Sequence, residues 1–299
     1  MDPVRSTVVV VTWRGAGHLA ACLDAVHAQT RPHRLVVVDN GADAATRAVL
    51  AAHRGPAQVH RTGTNLGYAG ALAAVRVGTE LVCWLNDDAV LDPHWLACAE
   101  QALSAGVAAV GAVLVDDDGT LVSCGVTLGP RGHGRDRTCP SEVLAAPCGA
   151  AVLLRTAELA AVGGVDGRLF CYSEDLDVGW RLQLAGHRVA VLAGPAVTHP
   201  GGASAAHGSR AFHRWNERNR LLVLLRNAPL PLALREVARF AALTVALPLR
   251  GRVPGANFSL RLRVRVLGEV VLRAPGVLRR RGGVDRGTRA RIARELGLG

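Results

Sequence analysis

Adjacent carboxylates stand at Asp87 and Asp88, directly after the apolar run 81–85 and Asn86. At the end of a buried strand two such groups repel each other and resist dehydration, costs that a cation or a cluster of donors offsets. Hard oxygen ligands of this kind suit Mg2+ or Mn2+, completed by diphosphate oxygens and water. A second acidic run, Glu174-Asp175-Leu176-Asp177, opens a helical stretch, and His199 closes a late apolar strand ahead of Pro200-Gly201-Gly202-Ala203-Ser204. Glu174 beside Asp175 supplies a like charge that raises the proton affinity of its carboxyl. Plainer readings exist for each group. They are an acidic loop in water, acids at a positive helix end with Asp177 meeting Arg181 one turn on, and a core histidine.

Three more polar groups follow apolar runs. Thr12-Trp13-Arg14 offers a hydroxyl and an indole face on which a nucleobase could stack, or simply a strand end with a packed tryptophan. Asp39-Asn40-Gly41 offers a carboxylate for a pyrimidine N–H, although an Asx turn would look identical. Asn65-Leu66-Gly67-Tyr68-Ala69-Gly70 opens a helix whose backbone donors could approach a nucleotide or merely be capped.

The elements that must position these groups alternate. Apolar strands are expected at 7–12, 35–38, 81–85, 107–115, 151–155 and 189–192. Helical spacing appears at 19–26, 44–53, 69–77 and 93–105, from Ser173 to Gly186, and around 215–226. Such alternation implies a parallel sheet, and in open α/β sheets ligands bind at the carboxyl ends of the strands. Asp117-Asp118-Gly119 signals a turn before a hairpin, and 129–139 reads as a mobile loop.

The chain has 299 residues, 49% of them hydrophobic, enough for one large α/β domain and a smaller appendage. Pro229 and Pro231 set the expected division at 1–227 and 228–299. Seven scattered cysteines without a C-x-x-C pair read as reduced core thiols of a cytoplasmic protein. The apolar run 8–11 is too short and too early for a secretory signal. All 35 basic Lys/Arg side chains are arginine. From Arg250 onward thirteen arginines face Glu269, Asp285 and Glu295, which places ten of the eleven net positive charges there. The segment 231–249 is apolar but interrupted by Arg235, Glu236 and Arg239, which suits peripheral contact at the inner face of the cell membrane better than a span. A solvated basic helix is the alternative.

In order, T-W-R-G (12–15), V-V-D-N-G (37–41), N-L-G-Y-A-G (65–70), L-N-D-D-A (85–89), C-G-A-A (148–151), Y-S-E-D-L-D-V-G-W-R (172–181) and H-P-G-G-A-S (199–204) resemble family 2 glycosyltransferases. The resemblance spans 6–227 and is strongest to bacterial rhamnosyltransferase-type members, which act on cell-envelope or lipid-linked glycans. It implies an α/β GT-A fold: a Rossmann-like, mostly parallel central sheet flanked by helices, here with a C-terminal helical appendage. It further implies that Thr12, Trp13, Asp39 and Asn65, with Gly67, Asp87 and Gly149, serve the nucleotide-sugar pocket. Asp88 with His199 would hold Mg2+ or Mn2+, and Asp175 would be the base, supported by Glu174, Asp177 and Arg181. Two positions depart from the family pattern: Trp13-Arg14 stands where Tyr-Asn is common, and Asn86 takes the first place of the Asp-x-Asp metal motif.

The resemblance implies an inverting transfer from a nucleotide diphosphate sugar to a hydroxyl of a glycan, lipid-linked or small-molecule acceptor. L-Rhamnose from dTDP-rhamnose leads, followed by UDP-galactofuranose and UDP-hexoses. Asp87 either binds the metal or orients a ligand of it. A nucleic-acid-binding protein would fit the pI near 10.7 but not acids placed at strand and helix ends, so no nucleic-acid partner is expected. A nucleotidyltransferase would need a glycine-rich basic phosphate loop, and a catalytically dead sugar-nucleotide binder would not need both acidic motifs and His199.

Overall fold

A computed structural model describes residues 3–55, 57–199, 208–250 and 255–298. The chain divides into two compact units: Met1–Thr127 with Asp136–Gly201, and Leu128–Arg135 with Gly202–Gly299.

The first unit begins with β1 (Ser6–Thr12), buried along its whole length. α1 (Leu19–His27) follows, its buried Leu19, Cys22, Leu23 and Val26 recurring every three or four residues. Next come β2 (His33–Asp39), α2 (Ala44–Ala52), whose Asp43 cap accepts from the Thr46 N–H, β3 (Gln58–Arg61), α3 (Gly67–Ala74) and β4 (Leu81–Asn86). β5 (Val90–Leu91), α4 (Trp95–Ala102), β6 (Val107–Gly111), β7 (Leu114–Val115) and β8 (Leu121–Ser123) lead to β9 (Val126–Leu128) and β10 (Gly134–Asp136), where the chain leaves this unit and returns. β11 (Ala151–Arg155), α5 (Thr156–Ala161), α6 (Glu174–Leu184), β12 (Arg188–Val191) and β13 (Val197–Thr198) complete it.

Seven strands form one sheet in the order β12-β6-β11-β4-β1-β2-β3. Its pairings are parallel except that β11 runs antiparallel to both β4 and β6. Successive side chains of β1 point to opposite faces. Val8 and Val10 join Leu19, Leu23, Trp95 and Leu96 on one side. Val9 and Val11 join Val36, Val38, Trp84 and Leu182 on the other. Burial on both faces is why these strands read as unbroken apolar runs, each large side chain contributing roughly 2 kcal/mol. The expected single strand 107–115 is two strands, because β7 belongs to a smaller sheet of order β5-β13-β7-β8. The chain turns out of the large sheet at Gly111, where a Cβ would meet Pro147. All seven cysteines are free. Cys139 is exposed, so the core-thiol expectation fails at that position.

The second unit contains α7 (Arg210–Asn227), α8 (Leu230–Ala246), α9 (Leu260–Arg279) and α10 (Arg286–Glu295). The compact units therefore divide earlier than the expected 227/228 boundary. α7 carries buried Arg218 and Arg220, which pair with Glu269 of α9 and Glu236 of α8. The last carbonyls of α7 are also satisfied inside this unit. Arg281 donates to the carbonyls of Leu225 and Ala228, and Arg289 to those of Arg226 and Asn227. The stretch 129–139 is not the free loop its composition suggested. Arg220 donates to the Arg131 carbonyl at 3.0 Å, His133 lies 3.3 Å from Glu217, and Gly132 lies close against Leu224.

Candidate active site

Parallel neighbours ending at one level bring their last residues together. Thr12 of β1 is in register with Asp39 of β2, and Val11 with Asn86 of β4. The strand order reverses about β1, so this rim is where an open sheet of this kind places ligands.

Thr12 is buried, and its Oγ1 has no partner among the described residues. Gly15 lets the backbone pass close: a Cβ there would stand 2.3 Å from Asp87 Oδ2 and 2.7 Å from Thr12 Oγ1. Trp13 is half-buried, with the Arg14 guanidinium 4.4 Å over its ring. Asp87 lies 3.3 Å from His18 Nε2, and this hydrogen bond raises the imidazole's proton affinity despite partial burial.

Asp88 is buried, its Oδ1 3.1 Å from His199 Nε2. Burial favours its neutral acid, yet the hydrogen bond and charge of His199 outweigh burial and hold the carboxyl below its ordinary value. Asn86 Nδ2 lies 3.2 Å from the same imidazole nitrogen, and His199 Nδ1 is buried without a partner among the described residues. Two ligand atoms at right angles around a cation with bonds of ~2.1 Å are ~3.0 Å apart. The Asp88–His199 separation therefore fits neighbouring ligands of one ion. Among the described residues, no group of three or more His, Cys, Asp or Glu side chains could hold a metal ion. Residues 200–204 of the histidine motif lie outside the described residues.

Asp39 is buried and already served on both oxygens. Oδ1 accepts from the Ala42 N–H at 2.8 Å and Oδ2 from Arg47 Nε at 2.9 Å. Burial would raise this carboxyl, but Arg47 and the Ala42 N–H outweigh it and hold it low. Asn65 Oδ1 accepts from the Gly67 N–H at 2.8 Å and from Asn40 Nδ2 at 3.1 Å, so it shapes the start of α3. Gly67 has φ +74°, and a Cβ there would collide with the Phe170 carbonyl. That carbonyl accepts from the Ala69 N–H at 3.0 Å. Gly67 thus fits α3 to the segment preceding α6.

That segment is strained: Phe170, Tyr172 and Ser173 have φ of 68°, 71° and 66°, a region that side chains other than glycine rarely occupy. It delivers Glu174 and Asp175 to the first turn of α6. Asp175 Oδ2 accepts from the Gly149 N–H at 3.0 Å and Oδ1 from the Leu176 N–H at 2.7 Å. Gly149 is held in turn by the Tyr68 hydroxyl, which donates to its carbonyl at 2.8 Å. The next carbonyl, of Ala150, accepts from the Asn86 N–H, tying this anchor to the end of β4. Burial pushes the Asp175 carboxyl up against the pull of its two N–H donors, and the charge of Asp136 adds to the rise. Burial and then Asp175 push Glu174 up, and Glu174 Oε2 has no partner among the described residues. The expected rise on Asp175 thus comes chiefly from burial rather than from Glu174.

Asp177 does something else. Its Oδ2 takes Arg181 at 2.7 Å, and Arg181 also donates to the carbonyls of Val162 and Gly164, a buried stitch between α6 and the segment after α5. Gly15, His18, Asn40, Tyr68 and Asp136 were missed as site residues. Gly15, Asn40 and Tyr68 stood inside the quoted motifs, while no spacing pointed to His18 or Asp136.

Residues 3–220 match the family described as glycosyltransferase like family 2. An O-antigen biosynthesis protein of Myxococcus xanthus is 31% identical over 68% of this chain, which spans only 18% of that protein. Two Mycobacterium tuberculosis proteins align over more of their own length. An N-acetylglucosaminyl-diphospho-decaprenol L-rhamnosyltransferase is 28% identical over 64% of this chain and 75% of its own. A galactofuranosyltransferase is 32% identical over 65% and 69%. Among solved structures, a Pyrobaculum calidifontis mannosyltransferase with GDP-Man and Mn2+ superposes with a TM-score of 0.57 at 18% identity, covering 92% of this chain and 88% of that one. Staphylococcus aureus TarS 1-349 with UDP-GlcNAc gives 0.55 at 16% identity, covering 99% and 93%. The architecture, a mostly parallel sheet followed by C-terminal helices, is the GT-A fold.

Proposed function

This chain belongs to the glycosyltransferase-like family 2, a family of nucleotide-sugar transferases, and from that premise we propose an inverting, metal-assisted transfer with Asp175 as general base. The observation that carries the proposal is Asp175 itself: half-buried, raised in proton affinity, held by two backbone N–H groups, and in no ion pair among the described residues. Its carboxylate takes the proton of the acceptor hydroxyl as that oxygen attacks the anomeric carbon opposite the leaving diphosphate. Gly149 and Leu176 fix the angle at which the carboxylate meets that proton, and Tyr68 fixes Gly149. Trp13 offers the base-stacking face, and the Thr12 hydroxyl beside it has no partner among the described residues. Asp39 and Asn65 support the nucleotide pocket through the turns they hold.

Asp88 and His199 would hold Mg2+ or Mn2+, which when bound neutralises charge growing on the departing diphosphate. The Mn2+ in the mannosyltransferase neighbour and the 3.1 Å ligand spacing support this reading. Asp87, paired with His18, orients this end of the site.

For the donor we favour dTDP-L-rhamnose, on the likeness to the rhamnosyltransferase. UDP-galactofuranose is the second reading, favoured by the 32% identity to the galactofuranosyltransferase. A lipid-linked acceptor is the class suggested by the diphospho-decaprenol in the rhamnosyltransferase's name. The test is release of nucleoside diphosphate from each donor in the presence of a polyprenyl-diphosphate sugar. The proposal expects turnover with one of the two donors, lost in Asp175→Asn while donor binding persists. Undiminished turnover in that variant removes Asp175 as base.

A further inference from the structure

Helix α9 is apolar on the side that should be polar. Its inward side carries Leu262, Val266, Val270 and Val277, all buried. Its outward side carries Val264, Val271 and Leu272, which are 55%, 67% and 82% exposed. Leu260 and Leu278 extend the same stripe at helical spacing, and Arg261, Arg265 and Arg279 flank it, all exposed. The outward side of α8 repeats the pattern with Leu234 and Val245 beside Arg235 and Arg239. Each helix has one acid, and both face inward: Glu236 is buried and Glu269 is held by four arginines.

Cost-free exposure to water would call for polar side chains here. The alternation of bare apolar groups with outward arginines, and the absence of any outward acid on either helix, match a surface that is negative outside and apolar beneath. A second copy of the same face would bring arginine against arginine, and a nucleic acid would leave Val271 and Leu272 unserved. Among the described residues no helix is long and apolar enough to cross a membrane. We propose that the outward faces of α8 and α9 dock on the anionic headgroups of a lipid bilayer, with the valines and leucines entering the headgroup–acyl boundary.

Flotation of the 299-residue chain with vesicles tests this without donor or acceptor, so its failure leaves the transferase reading standing. The expected result is co-flotation with phosphatidylglycerol-containing vesicles, weakening as salt rises, and at least tenfold weaker with pure phosphatidylcholine. The double substitution Val271→Glu/Leu272→Glu should abolish flotation, and Arg261→Glu/Arg279→Glu should weaken it about tenfold, with thermal midpoint and turnover on a soluble acceptor unchanged in both. Failure to float, or equal flotation of the Val271→Glu/Leu272→Glu protein, would overturn the proposal. So would a concentration-dependent dimer in light scattering that this substitution dissolves, which would assign the face to self-association.

Discussion

Glu269 in the second unit receives Arg214, Arg218, Arg265 and Arg273, and Glu217 receives Arg220 and His133. In the first unit Glu174 is buried as deeply as Glu217 and Asp175 is half-buried, yet no described residue forms an ion pair with either. The carboxyls respond oppositely. Burial would raise Glu217, but His133 and Arg220 overcome it and bring it down to about 2, whereas Glu174 and Asp175 are pushed up. A buried acid surrounded by cations is a brace. An acid withdrawn from water without a cation costs stability and keeps a raised proton affinity, as the proposed base requires.

The comparison is broken most sharply by Asp175→Asn. Turnover should fall by about 10^3, while the thermal midpoint holds or rises because a half-buried charge without an ion-pair partner is gone. A large loss of stability would make Asp175 a brace like Glu217. Glu217→Ala should do the reverse, lowering stability by about 3 kcal/mol in urea unfolding, since it leaves buried Arg220 with only its longer 3.7 Å pairing to Glu236. Asp177→Asn, which strands buried Arg181, should lower stability by about 2 kcal/mol with little change in donor KM.

The pH dependence separates the two kinds of acid further. Glu217 is lowered, so its contribution is complete above the ordinary glutamate value of 4.5 and disappears as pH falls through about 2. Glu174 is raised, so the folded state binds the proton more tightly, and stability falls as pH rises from 4.5 upward. Glu174→Gln should therefore unfold at higher urea than the parent at pH 8 and at the same urea at pH 4.5. A gap independent of pH would contradict the assignment. The smallest effect belongs to Trp13→Ala, which should raise donor KM about tenfold by removing a base stack, with kcat nearly unchanged.

The strand ends were legible because apolar runs stop abruptly at polar residues: Thr12, Asp39 and Asn86 meet at one rim as the alternation implied. Asp88 with His199, 111 positions apart, was legible only through the family resemblance, since nothing local joins them. Three things were not legible. The split of 107–115 depends on Pro147 lying against Gly111. The anchoring of 129–139 depends on buried partners on α7. Finally, Arg47 sits on Asp39, and Tyr68 reaches Gly149, through distances that only the folded chain sets.

The most direct test is thermal unfolding of the protein and of Asp88→Asn with dTDP, UDP, GDP, ADP and NAD, each with and without Mn2+. A nucleotide that binds only the native state raises the midpoint. Stabilisation by dTDP or UDP that requires Mn2+ and vanishes in Asp88→Asn is the predicted result. Stabilisation indifferent to both Mn2+ and Asp88, or none by any nucleotide while the protein remains folded, would contradict a metal-assisted nucleotide-sugar site at this rim.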